Sequence, residues 1–121
     1  MATIERFEDI KAWKKARELT REIYQLCDSG ALGNDFNLRN SLSRAATTCM
    51  SKIAEGYGLR DRQLFAGQLE HARSQAIQVQ SLLYVATDNH GLLEADFQRI
   101  YDLVNEVLAL IGGLSNYLRG A

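Results

Sequence analysis

Four cations gather around the second of four amphipathic segments and its exit: Arg44, Lys52, Arg60 and Arg62, with the polar Thr48 and Ser51 between them. Cations on one edge of a helical protein contact phosphate, so these four are the candidate nucleic-acid-binding residues. Glu55 and Asp61 stand among them, and the same residues also read as an ordinary solvated helix face. Charge is unevenly spread: residues 1–62 hold 11 Lys plus Arg against 9 Asp plus Glu, a balance of +2, and residues 63–121 hold 3 against 6, a balance of -3. The whole chain carries -1, which argues against the dense positive field of a protein that coats nucleic acid nonspecifically.

Residue types that support catalysis lack partners at working spacing. A di-iron bundle needs Glu-x-x-His on facing helices, whereas His71 directly follows Glu70 and His90 lies at a turn, so no metal site is expected. Cys27 and Cys49 sit far apart at apolar helical positions and read as buried reduced thiols. Cys49 has no nearby histidine to activate it. Gly56-Tyr57-Gly58 follows no strand and precedes no Gly-Lys-Ser or Gly-Lys-Thr, so it reads as a helix stop and not a phosphate loop. A non-enzymatic chain without a cofactor is the expectation.

The elements that must position the cations are helical. There is no proline among the 121 residues, and glycine falls at a few points, the punctuation of long uninterrupted helices. Apolar spacing predicts helices over about 8–27, 36–57, 62–88 and 94–118, all within a single domain of 1–121. Ile10, Trp13, Ala16, Ile23 and Leu26 line the first, and Leu42, Ala45, Ala46, Cys49 and Ile53 the second. Phe65, Leu69, Ala72, Ala76, Val79, Leu83 and Ala86 form a heptad seam on the third. Phe97, Tyr101, Val104, Leu108, Ile111 and Leu118 repeat that pattern on the fourth. Asp61 suits the N-cap of the third helix and Gly91 its left-handed end.

Short connections between long amphipathic helices predict an all-α, antiparallel up-down-up-down four-helix bundle. The apolar arc of the fourth helix spreads to about 200°, because Leu103, Leu110 and Tyr117 form a second seam. Ile77 and Tyr84 flank the core stripe of the third helix. These five residues are the expected oligomer interface, and assembly as a homo-oligomeric ring or dimer follows.

Three stretches carry a resemblance to a known family. Phe7-Glu8-Asp9-Ile10-Lys11-Ala12-Trp13 resembles the opening, Phe-acid-Asp-aliphatic-x-x-Trp, of a bacterial family typified by proteins encoded in intervening sequences of large-subunit ribosomal RNA genes. Arg44-Ala45-Ala46 and Ser51-Lys52-Ile53-Ala54-Glu55-Gly56 are similar to its Arg-Ala and Ser-Asn-Ile-Ala-Glu-Gly, and Phe65, Leu69, Ala72 and Ser74 match in the third helix. Gln78 and Gln80 stand where the family carries acidic residues. The resemblance implies a cytoplasmic, non-catalytic four-helix bundle that forms rings, commonly pentamers. Relatives that accompany diversity-generating retroelements extend it to RNA or an RNA-associated protein as partner. In physical terms the family residues Trp13, Ile53, Ala54, Glu55 and Gly56 have structural readings: Trp13 as a core or interface anchor, Ala54 for close packing, Glu55 as a partner of Arg44 or Arg60, and Gly56 as a helix stop. A scaffold that binds only proteins is the rival reading. The mixed charge and short apolar runs at the start predict neither a leader nor a membrane span.

Overall fold

The computed structural model describes residues 4–120. A 3-10 turn at Phe7–Asp9 is followed by α1 (Lys11–Asp28), α2 (Phe36–Gly58), α3 (Arg62–His90) and α4 (Glu94–Leu118). Each helix packs on its sequence neighbour, and α4 closes back on α1. Side-chain contacts fix the directions. Thr20 Oγ1 of α1 donates to the Ala46 carbonyl of α2 at 3.3 Å, while Tyr57 OH donates to the Ile4 carbonyl at 3.2 Å. Gln80 Nε2 of α3 donates to Asn105 Oδ1 of α4 at 2.8 Å, and Arg99 Nε of α4 donates to Glu22 of α1 at 2.8 Å. Contacts run in opposite directions along each pair, with Cys27 by Arg39 and Thr20 by Ala46, Gly56 by Phe65, Gln80 by Asn105 and Arg62 by Tyr117, and Glu22 by Arg99 and Lys15 by Glu106, so the four form an antiparallel up-down-up-down bundle.

The helix ends follow from local chemistry. Asp35 caps α2 by accepting the Leu38 N–H at 3.0 Å, and Asp61 caps α3 by accepting the Leu64 N–H at 2.9 Å. Gly91 ends α3 in the left-handed region at φ 62°. α1 begins at Lys11 and not near residue 8, because Phe7–Asp9 closes as a 3-10 turn and Ile10 is extended, with its side chain buried. Trp13 is half-buried: Phe7 meets its ring edge-on at 5.1 Å and the Arg17 guanidinium lies 5.8 Å from its centroid. It fastens the opening turn to α1 at the edge of the core.

On α3 the seven residues of the heptad seam are all buried. On α4 the stripe is rotated from the expected one. Ile100, Val104, Val107, Ile111 and Ser115 are buried, whereas Phe97, Tyr101, Leu108 and Leu118 are half-buried. The large rings of Phe97 and Tyr101 sit instead at the α3 seam, where Tyr84 meets them at 4.9 and 6.2 Å. Gln80 is buried there too, its amide satisfied by Asn105. α2 and α3 share the most extensive contact in the bundle, and both carry small buried residues, Ala45, Ala46 and Gly56 on α2 and Ala72 and Ala76 on α3.

Gly56 does not stop α2. The helix runs on to Gly58, and Gly56 is buried with no room for a side chain: a Cβ there would lie 2.7 Å from Phe65 Cδ1 and 3.0 Å from Gln68 Cβ. Its hydrogen is what lets α3 come close. The chain turns at Arg60, which takes φ 56°, the left-handed conformation where glycine is the usual residue.

The five residues expected at an oligomer interface fall on separate surfaces. Arg99, Leu103, Glu106 and Leu110 share one stripe of α4 by their spacing of four, three and four. That stripe faces α1: Arg99 pairs with Glu22 at 2.8 Å and Glu106 with Lys15 at 3.2 Å. Leu103 and Leu110 are therefore half-buried against the protomer's own core. Ile77 and Tyr84 stay 40% and 54% exposed on α3, and Tyr117, 47% exposed, lies at the far end beside Arg62.

Candidate nucleic-acid interface

The four cations do not form one flat patch. Arg44 and Lys52 are eight residues apart on α2, so their side chains diverge by about 80°, and Arg44 lies roughly 24 Å along the axis from the α2–α3 turn. Arg44 is exposed enough to meet solvent at the edge of the bundle. Lys52 is half-buried and pairs with Glu55 at 3.3 Å, so Glu55 takes Lys52 as its partner in place of Arg44 or Arg60. Beside them Ile53 is fully buried and Ala54 half-buried.

Arg60 and Arg62 are brought together with residues far away in sequence. Arg62 Nη2 donates to the Tyr117 carbonyl at 2.8 Å and Nε to the Leu118 carbonyl at 3.1 Å. These are carbonyls of the last turn of α4, where the Tyr117 oxygen also accepts the Gly120 N–H at 3.1 Å, and a cation there meets the negative end of the helix dipole. The same guanidinium lies 5.2 Å from the centroid of the Tyr117 ring. Arg62 is thus a cap and a clamp. Arg60, exposed at the turn, has no ion-pair partner among the described residues.

Between these residues lies a groove of roughly 320 Å³. Tyr57, Phe65, Leu114 and Leu118 form its apolar surface, Tyr117 a wall, and Arg60 with Arg62 its basic rim. The Tyr57 and Phe65 rings meet edge-on at 6.3 Å. Asp61 also borders the groove, but its Oδ1 is held by the α3 cap. Aromatic side chains next to an unpaired guanidinium are the chemistry that holds nucleobases and their phosphates. Arg60 and Arg62 are visible in the sequence as a pair. Tyr117 is 55 residues from Arg62, and no local signal links it to the basic edge.

His90 and the two cysteines are committed elsewhere. His90 Nε2 bonds Asp35 Oδ2 at 2.9 Å, which joins the end of α3 to the loop before α2. The imidazole, followed by the Leu38 N–H, holds the Asp35 carboxyl below its ordinary value. Cys27 and Cys49 are both free and buried. Burial pushes the Cys49 thiol up to about 12, and the Cys27 Sγ lies 3.8 Å from Ser43 Oγ. Among the described residues no three His, Cys, Asp or Glu side chains converge as metal ligands, and no helix is long and apolar enough to cross a membrane.

No functionally curated protein matches the chain. The family described as 23S rRNA-intervening sequence protein matches residues 8–113, a span that takes in the opening Phe7–Trp13 stretch from its second residue, the whole α2–α3 pair and most of α4. This all-helical bundle, matched over residues 8–113, is therefore a member of the 23S rRNA-intervening sequence protein family.

Proposed function

We propose that this protein is a non-enzymatic, homo-oligomeric binding protein of the cytoplasm, a pentamer in its expected form, whose ligand is RNA. The observation that carries the reading is Arg60: an uncommitted cation beside the Arg62–Tyr117 stack and an apolar groove. The family's name, which refers to an intervening sequence of ribosomal RNA, points the same way. Support for a non-catalytic role comes from the committed state of His90 and the strongly raised Cys49 thiol. Self-association is supported by the exposed Ile77, Tyr84 and Val85 on α3, with open space over Gly112 and Gly113 of α4.

The test is size-exclusion chromatography with light scattering, recorded at protein and nucleic-acid wavelengths in low and high salt. The expected result is a mass near five times the 13.6 kDa of the chain, with RNA co-eluting in low salt and released in high salt. Arg44→Ala with Arg60→Ala should weaken RNA binding and flatten its salt dependence by about 0.7 for each phosphate no longer neutralised. A clean oligomer that carries no RNA would favour the protein-binding scaffold, for which Phe36 and Leu93, 67% and 69% exposed, offer apolar contacts. A monomer would remove the assembly from the reading.

A further inference from the structure

The groove at the α2–α3 turn has a shape and chemistry more specific than a general attraction for phosphate. We propose that it is a pocket for one unpaired nucleotide, with the base against Tyr57, Phe65 and Tyr117 and the phosphate on Arg60. This rests on the RNA-binding reading and narrows it to unpaired bases.

Size comes first. A volume of roughly 320 Å³ is at the small end of ligand pockets, the scale of a single nucleotide and not of a helix or a folded chain. Lining comes second. Its interior is mostly apolar, so a phosphate has no reason to enter, but the face of a base does. Tyr117 is held ready for such contact, because Arg62 lies on its ring and is itself tied to two backbone carbonyls. A wall already ordered loses little freedom when a ligand arrives.

Charge comes third. Arg62 spends Nε and Nη2 on α4, so Arg60 is the rim cation with no partner among the described residues, and it must hold a phosphate against the charge that Asp61 keeps while its Oδ1 caps α3. Arg60 also occupies a left-handed position that a residue with a Cβ adopts at a cost, and such outliers concentrate where a side chain serves a ligand. A base stacked inside a duplex presents only its edge, so the groove selects single strands, loops or ends.

The experiment titrates the full-length protein with AMP, adenosine and ribose 5-phosphate and follows backbone amide signals by NMR. AMP should shift residues 57–65 and 114–118 in a saturable way, with adenosine and ribose 5-phosphate each at least fivefold weaker. Arg60→Gly, which suits the local backbone and preserves the fold, should reduce AMP affinity to that of adenosine. A single-stranded oligonucleotide should bind at least tenfold more tightly than a hairpin of equal charge, and Tyr117→Leu should remove most of that preference. The proposal is overturned if AMP shifts no groove residue, or if Arg60→Gly binds AMP as the parent does. If duplex and single strand bind equally and Arg44→Ala weakens both, RNA binding stands and the nucleotide pocket does not. If AMP fills the groove and no RNA binds, the pocket stands and the RNA reading falls.

Discussion

Arg60 and Gly56 are four residues apart, and each stands where the backbone would favour the other's type. Gly56 keeps helical geometry in the last turn of α2, where glycine is a poor helix former, and Arg60 is in left-handed geometry, where glycine is best. Packing explains the first, since only a hydrogen fits against Phe65. Nothing in the packing explains the second, as Arg60 is exposed. Arg60→Gly is therefore expected to stabilise the protein by about 0.5–1 kcal/mol, read as a higher urea midpoint with an unchanged slope. A fall in the midpoint would mean that the arginine side chain stabilises the turn. Both residues are visible in the sequence, but their roles depend on φ at one and on a neighbour nine residues away at the other.

At the scale of elements, α3 is legible because a single alternation of four and three residues accounts for most of its buried stripe, from Phe65 to Ala86. α4 is less so. It is apolar over a wide arc because it faces both α1 and α3, and several stripes through that arc satisfy helical spacing equally well. Spacing favours the aromatic stripe, while the axis of the bundle is lined by the smaller Val104, Val107 and Ile111. The glycines separate the same way. Gly56→Ala should cost about 1–3 kcal/mol, because its Cβ collides with Phe65 and the Gln68 Cβ is too close to yield freely. Gly112→Ala, with nothing within 4 Å, should instead add about 0.5–1 kcal/mol to the stability of the protomer. Thermal unfolding of the two variants checks the opposite signs. A Gly112→Ala protein that is more stable yet no longer assembles would place a neighbouring helix over that residue.

For the molecule as a whole, one polar contact ties together two connections that the sequence separates widely. The Asp35–His90 pair holds the α1–α2 loop against the end of α3, and that loop carries the fully buried Leu32 into the end of the core. The Asp35 carboxyl titrates below the ordinary 3.8, chiefly through His90, so its contribution to stability is present above that value and is lost as pH falls through the folded-state pKa. Asp35→Asn keeps an N-cap side chain and removes the charge. Its urea midpoint should lie below that of the parent at pH 6 and converge with it below about pH 3.8. A constant gap across this range would assign the effect to the cap. No local pattern announces this pair, because each residue reads alone as turn punctuation.

The order of contacts along the chain also sets how it acquires its structure. Three of the four helix pairings join consecutive helices, and α2 connects to α3 through only Leu59, Arg60 and Asp61. Little loop-closure entropy opposes these steps, so a transition state built on the α2–α3 hairpin is the least costly. The α1–α4 seam, with its Glu22–Arg99 and Lys15–Glu106 ladder, joins the two ends of the chain and is left to form late. Mutation of Ala72 or Ala76 should then slow folding, whereas Arg99→Ala should mainly speed unfolding, a division that stopped-flow kinetics can resolve.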